Sequence, residues 1–342
     1  MFPSGPGRFT MTALQTLFDI LDLDQDGELS RSELFTAART LRWHWREAPL
    51  FALLDWLTVS TPLTRDRFME AFQKVAKDPM GPYGNVLRTV KGTRGFHPDG
   101  GPESDIFRTS ERDEPYELSA AGATEYLSAN AGVDVSESYD RLLSSFDIVP
   151  LSRSTAALLI IDPQRSFTEG VWMRSIGHRA AQDVAPIRLA FDRCAAVLRR
   201  LYGRLEIMFS RCPFPPESYG WYTPLEEILD RSQPYFIKPG NSILFPRTNG
   251  FREWIDRCID EGKRSLVIGG CTLNSCVRVS STETQALFPL NRLQVIVDVS
   301  LCGARGRNYR PSPEFGGDSA AASAVAQMTD AGVAVVRGVD WH

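Results

Sequence analysis

The chain has 342 residues, 43% of them hydrophobic, with 38 Lys and Arg set against 42 Asp and Glu. That length suits about two ordinary domains, and the near balance of charge argues against a nucleic-acid binder, which would carry a basic face. No run is long and apolar enough to cross a bilayer. Residues 1–10 are rich in Pro and Gly without the apolar core of a signal peptide, and Phe2 excludes N-myristoylation. The six cysteines show neither a CxxC pair nor Cys/His zinc spacing, so the expected compartment is reducing and cytoplasmic.

In chain order, residues 10–77 read as all-helical. Met11, Leu14, Leu17, Phe18 and Leu21 mark one apolar face at helical spacing. Leu34, Phe35, Ala38 and Leu41 mark a second, Leu50, Leu53, Leu54 and Leu57 a third, and Phe68, Phe72 and Val75 a fourth. Between the first two lies Asp22-Leu-Asp24-Gln-Asp26-Gly27-Glu28-Leu29-Ser30-Arg31-Ser32-Glu33, which fits a twelve-residue EF-hand calcium loop. Asp22, Asp24 and Asp26 would supply carboxylates, Glu28 its backbone carbonyl, Ser30 a water-mediated contact, and Glu33 both carboxylate oxygens. Hard oxygen donors in that number suit Ca²⁺ better than Mg²⁺. A second hand aligns through Leu63 and Phe68, but its ligand positions hold Trp56, Thr58, Ser60 and the cation Arg67. One calcium ion is therefore expected.

Residues 78–150 carry clustered Pro, Gly and charge and read as an extended connector, with one helix near 139–146 and the expected place of any coupling between the flanking units. From residue 151 to 342, strands alternate with helices. Strands are expected at 156–161, 205–209, 235–237, 265–268, 293–297 and 333–336, and helices at 185–201, 251–261, 275–287 and 318–331. The alternation predicts an α/β unit, a three-layer parallel sheet with helices on both faces.

Three residues at strand ends attract attention. Asp162 follows the buried run 156–161, where open α/β sheets bind ligands. Lys238 follows the short strand at 235–237. Cys276 follows a Gly269-Gly270 turn and sits where a helix begins, a position that favours a thiolate. Taken singly, Asp162 reads equally as a turn residue, Lys238 as a solvated strand end, and Cys276 as a core cysteine.

Together, in this order, the three segments resemble the isochorismatase-like cysteine hydrolases. Gly270-Cys271-Thr272-Leu273-Asn274-Ser275-Cys276-Val277 is similar to the turn of the N-carbamoylsarcosine amidase-type members. The resemblance spans about residues 150–340. It implies that Asp162 takes the thiol proton of Cys276, that Lys238 holds the thiolate, and that an acyl-enzyme forms on Cys276. It also implies a cis peptide between Cys271 and Thr272, an oxyanion hole from the Thr272 and Cys276 amides, and oligomers built through the α/β unit. Leu273 departs from the polar residue of many members and implies a less polar pocket wall. The nicotinamidase metal site in this superfamily needs histidines that residues 210–219 lack. No catalytic metal is therefore expected.

Gln164, Phe167, Trp172, Tyr219 and Trp221 follow strand ends and suit a pocket for a small planar amide, or else ordinary loop packing or a subunit interface. Arg211 is either an anchor for a substrate carboxylate or a solvated cation. The leading expectation is a metal-independent hydrolase of a small amide, carbamoyl or ureido C–N bond, with calcium regulation as a further expectation from the two units sharing a chain. Vinyl-ether hydrolysis and a calcium-binding scaffold without catalysis are the alternatives.

Overall fold

The run Ala156–Ile161 is apolar throughout because both faces of its strand are covered. In the structure, a computed structural model that describes residues 11–41, 43, 48–77, 135–170, 181–245, 247 and 249–342, all six of these residues are buried. The strand, β4, lies inside a six-stranded parallel sheet of order β6-β5-β4-β7-β8-β9. The others are β5 (Glu206–Arg211), β6 (Phe236–Ile237), β7 (Ser265–Cys271), β8 (Gln294–Gly303) and β9 (Ala334–Val336).

Alternate residues of β4 serve opposite layers, as a two-residue period requires. Ala156, Leu158 and Ile160 pack with Ile187, Phe191, Cys194 and Leu198 of the helix Ala181–Leu201. Ala157, Leu159 and Ile161 pack with Phe251, Trp254, Ile255 and Cys258 of Phe251–Asp260 and with Ala321, Val325 and Met328 of Ala320–Asp330. Each buried Leu or Ile contributes about 1.5–3 kcal/mol, and this burial holds the polar strand ends in place.

The N-terminal unit consists of the helices Met11–Leu21, Arg31–Thr40, Ala48–Thr58 and Arg65–Lys77, with β1 (Glu28–Leu29) paired antiparallel to β2 (Leu63–Thr64). Phe18 meets Phe68 edge to face at 5.3 Å. Most of the expected apolar faces are buried, but Met11 and Leu41 are exposed. The core of this unit is continuous with one sheet face, since Phe51 packs edge to face on Tyr219 at 5.2 Å.

The expected connector is shorter at its C-terminal end. Val135–Ser144 is a helix whose Tyr139 packs on Tyr309 at 5.3 Å. Ile148–Leu151 (β3) pairs in parallel with Gly338–Trp341 (β10). Both pieces belong to the α/β unit because each buries an apolar side against it. Residues 78–134 lie outside the described residues. Among the described residues, no helix is long and apolar enough to cross a membrane.

Candidate active site

Four neighbouring strands, β6, β5, β4 and β7, run parallel and end at one rim. They deliver Lys238, Cys212, Asp162 and the segment 272–276 to the same place. The winding also reverses there. The chain passes from β4 outward to β5 and β6 on one side, then from β7 outward to β8 and β9 on the other. Ligands of open α/β sheets bind at such a switch point.

The close approach of β7 to β4 depends on Gly270. Its φ is +114°, and a Cβ there would lie 2.1 Å from the Ile161 carbonyl oxygen. Next along β4, Asp162 adopts φ 47°, a left-handed conformation that a short polar side chain tolerates. After β7 the Cys271–Thr272 peptide is cis, and a π-helical turn, Leu273–Val277, presents Cys276.

The polar groups form one buried cluster. Lys238 Nζ lies 2.7 Å from Asp162 Oδ2, with both side chains fully buried. Lys238 also donates to the Gly240 carbonyl at 2.6 Å. Asp162 Oδ1 accepts from Ser210 Oγ at 2.6 Å, and Oδ2 accepts from the Cys212 thiol at 3.2 Å. The Cys276 thiol donates to Asn241 Oδ1 at 3.2 Å. Thr272 Oγ1 and Ser275 Oγ share a hydrogen bond of 2.7 Å under the turn.

These contacts set the ionisation of the site. The influence of Cys212 does most to lower the Cys276 thiol. Burial opposes this, the Lys238 ammonium adds to it, and the net direction is down. Cys212 moves the other way, since burial, the influence of Cys276 and the Asp162 carboxylate all push it well up. Burial alone would lower Lys238, but Asp162 and the two sulfurs outweigh it and hold the ammonium well above its ordinary range. Two cysteines of opposite character thus share one ion pair.

A cleft of about 1100 Å³ opens beside the cluster, lined by Gly240, Asn241, Asn274, Arg278 and Phe315 among others. Asn241 belongs both to its wall and to the Cys276 hydrogen bond. The residues expected to line a pocket are placed differently. Gln164 is buried and uses its amide to brace the chain, donating to the Cys212 and Tyr219 carbonyls and accepting from Cys212 N. Phe167 packs on Phe214. Tyr219 and Trp221 lie in the interior, each with a ring facing the Arg211 guanidinium. Trp172 lies outside the described residues. Leu273 is fully buried in the core and so forms no part of the cleft wall.

Arg211 is neither a carboxylate anchor on the cleft nor solvated. It is 2% exposed and pairs with Asp55 Oδ2 of the N-terminal unit at 3.3 Å. Trp221 covers its guanidinium at 3.6 Å and Tyr235 at 4.5 Å.

No protein-family model matches the sequence, and no curated protein sequence matches it. Similar solved structures include PnC1 from L. infantum in complex with nicotinate, 16% identical over 57% of this chain and 100% of that chain, TM-score 0.42. An isochorismatase from Pseudomonas putida is 18% identical over 58% of this chain and 95% of that chain, TM-score 0.40. The YcaC gene product of Escherichia coli, described as an octameric hydrolase, is 16% identical over 54% of this chain and 76% of that chain, TM-score 0.37.

In the loop of residues 22–33, one carboxylate oxygen each of Asp22, Asp24 and Glu33 lies within 4.8 Å of the others. Asp22 Oδ1 is buried without a hydrogen-bond partner, and Gly27 takes φ +85° at the turn. The set fits a hard cation. Asp24 is held above its ordinary range. The Asp26 amide pulls it down, but desolvation and the carboxylates of Asp26, Glu33 and Asp22 outweigh that pull. Asp26 turns Oδ1 to the Glu28 amide at 2.8 Å instead of joining the triplet. Ser30 and Glu33 form a capping box on the following helix. In the second loop the Arg67 guanidinium donates to Thr61 Oγ1 at 2.7 Å and to the Pro62 carbonyl at 3.5 Å, placing a cation inside the loop.

Proposed function

We propose that this chain is a hydrolase that opens the C–N bond of a small amide, carbamoyl or ureido compound through an acyl-enzyme on Cys276. The observation that carries the reading is the fully buried Lys238–Asp162 pair beside a thiol shifted toward thiolate. A buried pair is costly to desolvate and is weak grounds for stability, whereas perturbed groups gathered at a strand-end cleft suit catalysis.

Cys276 Sγ attacks the carbonyl carbon, and its proton passes to Asp162. The Thr272 and Cys276 amides receive the developing oxyanion. The leaving amine takes the proton back, and water then releases the acyl group. Lys238 orients Asp162 and stabilises whichever of the two groups, carboxylate or thiolate, carries the negative charge. A metal-independent route is proposed because residues 210–219, the stretch that would carry a metal site, contain no histidine. The same proposal includes assembly of α/β units into a homo-oligomer, to be read by light scattering.

Ammonia release from a panel of small amides, with Cys276→Ala as control, tests the reaction. Release is expected from the wild-type chain and a loss of several orders of magnitude in the variant. Release that survives the substitution overturns the mechanism.

The N-terminal loop is proposed to hold one Ca²⁺ through Asp22, Asp24, Glu33 and the Glu28 carbonyl, with Asp26 turning inward. The ion would supply charge that draws the carboxylates together. Regulation of the hydrolase belongs to the same proposal, supported by a direct contact between the units. Arg31, inside the calcium loop, pairs with Asp55 at 2.5 Å, and Asp55 pairs with Arg211, the residue before Cys212.

A further inference from the structure

We propose that Asn241 is a specificity-determining residue, whose carboxamide oxygen accepts the N–H of the bond to be cut and so selects amides over esters. The inference rests on the reading of Cys276 as nucleophile. Asn241 Oδ1 lies 3.2 Å from Cys276 Sγ and accepts its thiol hydrogen. The same residue lines the cleft of about 1100 Å³. It thus touches the sulfur and also borders the space from which a substrate arrives. Its backbone is tied on two sides. Lys238 Nζ donates to the carbonyl of Gly240, the residue before it, at 2.6 Å. Ser280 is fully buried on Arg278–Leu287, the helix that continues from the Cys276 turn. Its Oγ donates to the Asn241 carbonyl at 3.0 Å and accepts from the Ile243 amide at 3.0 Å. The ion pair on one side and the nucleophile's helix on the other therefore set where Oδ1 stands.

A carbonyl carbon poised for attack stands about 3–3.5 Å from the attacking atom, with its amide nitrogen about 1.33 Å from the carbon. An oxygen 3.2 Å from the same sulfur can therefore meet that nitrogen at the usual separation of about 2.9 Å. At rest the thiol supplies the hydrogen that Oδ1 accepts. Once Cys276 has lost that hydrogen, Oδ1 faces a thiolate with no donor between them. The N–H of an amide supplies the missing donor. An ester brings only lone pairs and leaves the oxygen unpaired, and a site built to accept a hydrogen bond discriminates against a substrate that lacks the donor. With one N–H held by Asn241, the nitrogen keeps its lone pair for the proton that Asp162 returns as the amine leaves.

Two alkylating reagents of similar size test this on the full chain: iodoacetamide, which carries N–H groups, and methyl iodoacetate, which carries none. The rate at which each labels Cys276 is followed by peptide mass spectrometry and divided by its rate with glutathione. Wild-type Cys276 should then favour iodoacetamide by about tenfold, the effect of one hydrogen bond. Both hydrogen bonds of Ser280 engage main-chain atoms, so Asn241→Ala leaves them in place, and it should erase the preference. Asn241→Asp retains an acceptor and should retain the preference, while both reagents slow because a carboxylate beside the sulfur disfavours the thiolate. If Asn241 only packs the loop, Asn241→Ala changes both rates in proportion and the preference survives, which overturns the proposal. A wild-type preference no greater than that of glutathione overturns it as well. A Cys276 that neither reagent labels, or amide hydrolysis that survives Cys276→Ala, is a different result: it removes the nucleophile, and this inference with it.

Discussion

At the scale of single residues, glycine and cysteine decide the geometry of the rim. A Cβ on Gly270 would meet the Ile161 carbonyl at 2.1 Å in a backbone with φ +114°. Gly262 has a similar φ of +93° but nothing within 4 Å of such a Cβ. Changing each to Ala separates crowding from conformational cost. Gly262→Ala should lose about 1–2 kcal/mol for the left-handed backbone alone. Gly270→Ala adds overpacking of about 1–3 kcal/mol and should move Asp162 away from Lys238. Urea denaturation of the two variants checks this, and equal losses would show that the close approach contributes nothing. Asp162, Lys238 and Cys276 could be picked out of the sequence because each follows an apolar run with a turn. Cys212 could not, since Arg211 and Pro213 beside it make no motif. The only available signal was its place at the end of a strand next to the one bearing Asp162. A related limit applies to Tyr219 and Trp221, which cover Arg211 instead of lining the cleft: an aromatic after a strand end is visible in sequence, but what it covers is not.

At the scale of elements, the six sheet strands follow the hydrophobic runs closely because both sheet faces are covered. The pairing of β3 with β10 was hidden. Ile148–Leu151 alternates exposed and half-buried residues and contains Pro150, and its partner lies at the far end of the chain. Asp298 of β8 ties this pair to the main sheet. Its Oδ2 accepts from Val339 N of β10 at 3.1 Å, and Oδ1 accepts from Ser300 Oγ at 2.6 Å. Burial pushes this carboxyl from 3.8 up to about 6, against the hydrogen bonds that lower it. Between those values the folded chain keeps a proton that the unfolded chain has released. Stability from this group is therefore full below about pH 4 and falls as pH rises to 6, by about 3 kcal/mol at most. Asp298→Asn does not titrate. Its stability minus that of the wild type should climb across this window and level off above it, as denaturation at a series of pH values would record. Parallel curves would mean that the carboxyl is not held up.

At the scale of the whole molecule, the two units meet through charge as well as apolar contact. Asp55 is fully buried and receives Arg31 Nε at 2.5 Å, Arg211 at 3.3 Å and the Tyr235 hydroxyl at 2.5 Å. Arg31 also donates to the Arg231 carbonyl, 200 residues away in sequence. Local periodicity carries no trace of such contacts, so the sequence alone points to the connector as the place of coupling. Asp55→Ala leaves Arg211 buried without its counter-charge, and breaking a buried pair in this way costs about 3–5 kcal/mol, against less than about 1 kcal/mol for an exposed pair. The wild-type chain should therefore unfold in one transition. Calcium at about a hundredfold excess over its dissociation constant should raise that transition by about 2.7 kcal/mol, because stabilising one docked unit stabilises both. In Asp55→Ala the docking weakens and two transitions should separate, with calcium moving only the N-terminal one. Calorimetry with calcium and with EGTA distinguishes the outcomes. A wild-type transition indifferent to calcium removes the ion from the loop, and an Asp55→Ala chain that still unfolds as the wild type does shows that the Arg31–Asp55–Arg211 contact does not join the units.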